Sequence, residues 1–145
     1  MRRDKFILEH GLHICWVIAF IATIGSLYFS EIASYLPCKL CWYQRIMMYP
    51  LVIILGIAAA KKEYRTAQYV LPMTIIGGCI SLYHYLMEKT TWIESSNTTC
   101  GPIPCDYEWI NWLGFITIPF LALTAFMLIT ILQLMIWKAA KRANA

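Results

Sequence analysis

The sequence predicts an all-α protein, a four-helix bundle whose helices each cross a membrane. Three observations carry that prediction. The 145-residue chain is 60% hydrophobic and only 14% charged, whereas a soluble domain carries about 25% charged residues. Its mean hydropathy of +0.60 agrees. Four apolar runs each reach the roughly 20 helical residues needed to cross about 30 Å of hydrocarbon. A backbone in lipid must satisfy its own hydrogen bonds, so such runs are read as helices. The whole chain, 1–145, reads as a single integral-membrane domain.

The first run covers residues 11–29. Met1-Arg2-Arg3-Asp4-Lys5 before it resembles the start of a signal peptide. The run is too long for a signal segment and lacks a small-x-small cleavage site, so it is expected to be a retained anchor. The second run, 42–60, ends at Lys61-Lys62, the third covers 69–87, and the fourth covers 112–137. Pro50, Pro72 and Pro119 fall inside these runs and are expected to mark kinks in a bundle. Gly77-Gly78 permits a close helix contact.

Four spans put both termini on one side, together with the loop 61–66. That side holds Arg2, Arg3, Lys5, Lys61, Lys62, Arg65, Lys138, Lys141 and Arg142, and the other holds only Lys39, Arg45 and Lys89. The positive-inside rule therefore places both termini in the cytoplasm. The net charge of +4 is a topology signal, and no nucleic-acid partner is expected. Two extracytoplasmic loops follow, 30–41 and 88–111, each carrying a cysteine pair. Trp42, Tyr43, Trp92, Trp109 and Trp112 flank them as an interfacial aromatic belt.

Of six cysteines, Cys38, Cys41, Cys100 and Cys105 lie outside or at the outer interface, where disulfides form and persist. Cys15 and Cys79 fall within spans. At 1.5 Å per helical residue they sit about 8 Å and about 18 Å from the inner surface. They are too far apart in depth to pair, and both are expected to be buried as small apolar residues. The outer four admit three connectivities. Two local rings, Cys38–Cys41 and Cys100–Cys105, would be poor staples, because short loops remove little chain entropy. They are better suited to a relay by thiol–disulfide exchange.

The thiolate is the reactive form, favoured at a helix N-terminus or beside a cation. Cys41 is expected to open the second helix, with Arg45 four residues on and on the same face. A relay also needs an electron acceptor. The loops carry no flavin or nucleotide fingerprint and the spans no haem-ligand pair at suitable depth, which leaves a quinone, menaquinone or ubiquinone. Arg45 would stabilise the thiolate and polarise one quinone oxygen. His84, at similar depth near the outer end of the third span, would donate to the other. An interfacial anchor for Arg45 and a packed histidine are the plainer alternatives.

At this point the chain resembles the DsbB/BdbC family of disulfide bond formation proteins. The resemblance covers nearly the whole chain. It rests on the four spans, Pro37-Cys38-Lys39-Leu40-Cys41-Trp42-Tyr43-Gln44-Arg45, Tyr83-His84-Tyr85, Cys100 with Cys105, and the segment from Trp112 to Pro119. The short spacing of the second pair is closer to the BdbC-like branch. The resemblance implies a quinone-dependent thiol oxidase of the bacterial plasma membrane. It would reoxidise an extracytoplasmic thioredoxin-like partner of the DsbA/BdbD type, which in turn oxidises secreted proteins. Cys100 would take the mixed disulfide with that partner, Cys105 would exchange with Cys38, and Cys41 would pass electrons to the quinone beside Arg45.

Two other readings compete. In enzymes like vitamin K epoxide reductase the quinone-facing C-x-x-C opens a late helix, whereas here it opens the second. A four-span interaction protein of the tetraspanin kind would carry a Cys-Cys-Gly signature, which is absent. No metal is expected, since four outer thiols would have to remain reduced thiolates at tetrahedral distance.

Overall fold

Each apolar run forms a long helix in a computed structural model, which describes residues 2–89 and 113–144. α1 spans Arg2–Leu27, α2 Lys39–Lys61, α3 Ala67–Lys89 and α4 Ile118–Ala143. A π-helical turn, Tyr28–Ile32, extends α1, and a 3-10 turn, Tyr64–Thr66, leads into α3. All four helices are long and apolar enough to cross a membrane.

The helix boundaries follow from local chemistry. α4 starts at Ile118, not at 112. Leu113 and Gly114 have φ of 57° and 81°, and Thr117 is extended, so residues 113–117 are not helical. Pro119 sits in the first turn of α4, where its missing N–H leaves no bond unmade. It therefore starts the helix instead of kinking it, which corrects the expectation for this proline. Pro50 and Pro72 do lie inside α2 and α3. α2 ends on Lys62 in the left-handed region, with the Glu63 N–H closing back on the Ala58 carbonyl at 3.0 Å.

α1, α2, α3 and α4 pack in a ring, each against its neighbours in sequence, and α4 closes on α1. Arg142 lies 3.9 Å from Asp4, so the two termini share one end of the bundle. That pair is exposed and contributes little stability, but it reports the arrangement.

The lining of the ring comes from one narrow stripe of each helix. Leu12, Cys15 and Ala19 of α1 meet Leu51 and Leu55 of α2, with Val70 of α3 and Phe126, Ile129 and Ile136 of α4. The opposite faces are apolar as well. Ile21, Ile53 and Tyr69 are 64%, 66% and 74% exposed, as suits helices whose outer solvent is lipid. With lipid no less apolar than the interior, close packing and small residues hold such helices together. Gly77 shows this directly, because a Cβ there would run into the ring of Phe126.

The α3 stripe is Val70, Thr74, Gly77, Ser81 and His84, at three- and four-residue spacing. Cys79 falls off that stripe and is exposed, which corrects its expected burial, whereas Cys15 is fully buried as expected.

Candidate functional site

The turn from α1 to α2 delivers the first cysteine pair. The π-helical turn ends with Ala33 N–H bonded to the Tyr28 carbonyl at 3.1 Å and Tyr35 N–H bonded to Phe29 at 2.9 Å. Ser34 then takes a φ of 56°, and the chain runs through Pro37 without regular secondary structure to an extended Cys38 at the start of α2. Cys38 is the N-cap residue and its carbonyl accepts the Trp42 N–H at 3.2 Å. The helix therefore opens at Cys38, one turn before the Cys41 expected from sequence.

From Cys38 one helical face carries Cys41, Gln44, Arg45 and Met48. Both thiols are free, with Sγ atoms 3.4 Å apart, within hydrogen-bond distance. Their surroundings differ. Cys38 is buried against Leu40, Cys41 and Met87 near the end of α3. His84 Nε2 lies 3.7 Å from Cys38 Sγ. The other ring nitrogen, Nδ1, meets the Gln44 side-chain amide at 3.1 Å. Cys41 lies on the wall of a cavity of about 420 Å³ between α1, α2 and α4. Ile18, Ile21, Leu121 and Phe126 make that wall mostly apolar, and Gln44 and Arg45 add polar groups near Cys41.

The electrostatics favour a thiolate at the helix mouth. Hydrogen bonding with the Cys41 thiol holds Cys38 well below the ordinary thiol range, and His84 adds to this against the opposing effect of burial. The sulfur so favoured is Cys38, not the Cys41 for which sequence suggested it.

Arg45 is held by two contacts and faces the cavity. Its Nη2 donates to the Ser26 carbonyl at 3.1 Å, its guanidinium carbon lies 5.6 Å from the centre of the Trp42 ring, and it lines the cavity. Ser26 belongs to the last turn of α1, which has no basic residue of its own.

The structure thus brings Cys38, Cys41, Arg45 and His84 to one end of the bundle. It separates His84 from the cavity wall, where sequence had placed it beside the acceptor, and sets it against Cys38 instead. The reason is register. His84 continues the buried stripe of α3, and that stripe meets α2 on the Cys38 side. Cys100 and Cys105 lie outside the described residues. Sequence reasoning assigned no role to Gln44 or Ser26. Gln44 carried a usable signal, since a primary amide inside an apolar span needs a buried partner.

Comparison with known proteins follows the same lines. The family model described as disulfide bond formation protein DsbB matches residues 9–137. The chain is 57% identical over 120 residues to disulfide bond formation protein C of Bacillus subtilis, covering 83% of this chain and 87% of that one. It is 55% identical over 130 residues to a probable disulfide formation protein C of Bacillus cereus, covering 90% and 94%. A probable disulfide formation protein of Coxiella burnetii is 36% identical over 137 residues, covering 93% and 92%. No solved structure matches the chain.

Proposed function

The chain belongs to the DsbB family of disulfide bond formation proteins, multi-pass membrane proteins that act in thiol–disulfide chemistry, and from that premise we propose that it is a thiol:quinone oxidoreductase. In this reading the active end faces the extracytoplasmic side of a bacterial plasma membrane, and the protein reoxidises a thioredoxin-like dithiol partner of the DsbA/BdbD type. The single observation that carries the proposal is the position of Cys41, with one side toward Cys38 and the other on an apolar cavity that Arg45 also lines.

The residues present fit a quinone. Apolar walls suit a ring and a lipid tail, a fixed guanidinium suits a ring oxygen, and a thiol sits on the same wall. When bound, a quinone supplies a two-electron, two-proton acceptor, and menaquinone and ubiquinone both meet that requirement. The remaining chemistry belongs to the chain. The partner's dithiol exchanges with the Cys100–Cys105 disulfide, so the partner leaves oxidised and the loop pair is reduced. A Cys105 thiolate then attacks Cys38 in the oxidised Cys38–Cys41 pair. The S–S bond breaks, Cys41 leaves as thiolate, and resolution by Cys100 restores the loop disulfide. Cys38 and Cys41 finally give up two electrons and two protons to the acceptor and re-form their own disulfide.

Each neighbour has a task in that sequence. Arg45 orients the acceptor and offsets negative charge beside Cys41. His84 holds or receives a proton at Nε2 next to Cys38 Sγ, with Gln44 fixing the ring. Apolar packing by Leu40 and Met87 keeps water from Cys38.

The test is anaerobic mixing of the purified protein with a quinone and a reduced thioredoxin-like dithiol protein. Quinol should form in a one-to-one ratio with the disulfide made. Disulfide exchange with the partner but no quinol would leave a thiol exchanger with some other acceptor.

A further inference from the structure

We propose that the reduced Cys38–Cys41 pair and His84 Nε2 together form a three-ligand site for a thiophilic divalent metal ion such as Zn²⁺, which arrests the protein in its dithiol state. The reactive sulfur, nitrogen and sulfur atoms all lie within 4.8 Å of one another. Zinc bonds of about 2.3 Å to sulfur and 2.0–2.1 Å to nitrogen, at tetrahedral angles, require sulfur–sulfur and sulfur–nitrogen separations of about 3.8 and 3.6 Å. The Cys38–Cys41 and Cys38–His84 distances are 3.4 and 3.7 Å. Cys41 Sγ and His84 Nε2 lie within 4.8 Å of each other, so closing the site around an ion takes a rotation of one side chain by at most about 1 Å. This donor set differs from the four outer thiols considered from sequence, and it needs neither loop cysteine.

Three further features favour a bound ion. Two thiolates and a neutral imidazole cancel a divalent charge, so the complex enters a buried setting without net charge. Three protein ligands leave one position for water, the pattern of Cys₂His zinc sites. A ligating histidine usually donates its other ring N–H to a nearby acceptor, which fixes the tautomer. Gln44 faces Nδ1 with its amide nitrogen at 3.1 Å, and turning that amide over presents its oxygen as the acceptor. With its amide N–H toward Nδ1, the proton sits on Nε2 and faces Cys38. With the amide turned over, the oxygen accepts from Nδ1–H and frees the Nε2 lone pair for a metal. One buried glutamine thus serves both states.

Metal binding moves no electrons. The ion displaces whatever protons the two thiols carry and forms two metal–sulfur bonds and one metal–nitrogen bond. A disulfide, with sulfurs about 2.05 Å apart and no thiolate, has no such donors. The site therefore exists only in the reduced protein. The ion competes with reoxidation whatever the electron acceptor is, so the inference does not depend on the quinone reading.

The test uses the full-length chain in detergent, carrying Cys100→Ser and Cys105→Ser so that the loop thiols cannot contribute, reduced and titrated anaerobically with Co²⁺. We expect one Co²⁺ per chain with thiolate-to-cobalt charge-transfer bands and a tetrahedral ligand-field spectrum, displaced by Zn²⁺. The same chain oxidised at Cys38–Cys41 should give neither signal. His84→Ala should weaken binding by at least tenfold, and Gln44→Leu by roughly 10- to 100-fold through the lost orienting bond. Gln44→Glu, which accepts only from Nδ1–H, should bind at least as tightly as the parent. Circular dichroism and elution volume check that each variant is folded. An octahedral spectrum, no Co²⁺ uptake by the reduced chain, or unchanged affinity in folded His84→Ala would overturn the site.

Discussion

Arg45 Nη2 donates to the carbonyl oxygen of Ser26 across 3.1 Å and ties the first turns of α2 to the last turn of α1. The bond sets the guanidinium at the edge of the cavity that Cys41 lines. A long, flexible side chain is thereby held in one place before any ligand arrives, which lowers the ordering cost of binding.

Arg45→Ala should therefore weaken quinone binding more than it slows thiol exchange. Losing one charged hydrogen bond corresponds to about 10- to 100-fold in affinity. Steady-state quinol formation should show a raised KM for quinone, with exchange between the partner and the loop pair near the parent rate. Arg45→Lys should recover only part of the loss, because a point ammonium cannot reproduce the planar fork. An unchanged KM in Arg45→Ala would leave this residue a helix tie alone.

Cys41→Ser should stop quinol formation while leaving Cys100–Cys105 able to capture a partner thiol. The mixed disulfide is the readout, seen as a partner-sized shift on a non-reducing gel. Quinol formation at the parent rate would remove Cys41 from the electron path.

The state of Cys38 predicts a pH dependence. A thiol held below its ordinary range stays ionised where a free cysteine, with a pKa of about 8.5, is protonated. The thiolate is thus retained as pH falls past the ordinary value and is lost only on further acidification through the lowered one. Thiolate absorbance of the reduced protein, with the loop pair replaced by serine, should persist at neutral pH. His84→Ala should move its loss to higher pH, since the imidazole helps hold the charge. A midpoint at the free-thiol value in the parent protein would refute this account.

Gly77→Ala should destabilise the bundle and, because Phe126 also lines the cavity beside Cys41, should disturb that wall too. The added methyl meets the Phe126 ring, which is itself almost fully buried and has little room to yield. Overpacking of this kind costs about 1–3 kcal/mol. Thermal unfolding in detergent should show a lower midpoint, and Phe126→Leu combined with Gly77→Ala should recover part of it. Gly78→Ala is the control, because its nearest neighbour, the Cβ of Phe126, sits at an ordinary 3.7 Å.

Composition made more of this protein legible than the pattern of its interior did. Four long apolar runs can satisfy their backbones in lipid only as helices, so the four membrane-length helices among the described residues were readable from residue types alone. The nearness of Cys38 to Cys41 was equally readable, because it is local in sequence. Where α4 begins was not, since apolar content continues back to Trp112 while the conformations of Leu113 and Gly114 break the helix. What each cysteine faces was decided only by tertiary packing. His84 stands 46 residues from Cys38. Its depth followed from counting along α3, but the direction of its ring depended on how α3 is rotated against α2. Sequence periodicity is a poor guide to that rotation where lipid and core are both apolar, since a helix gains little by turning one such face inward over another. Gly77 against Phe126, and the polar stripe through Ser81 and His84, set the rotation and turn Cys38 toward an imidazole, leaving Cys41 to the cavity.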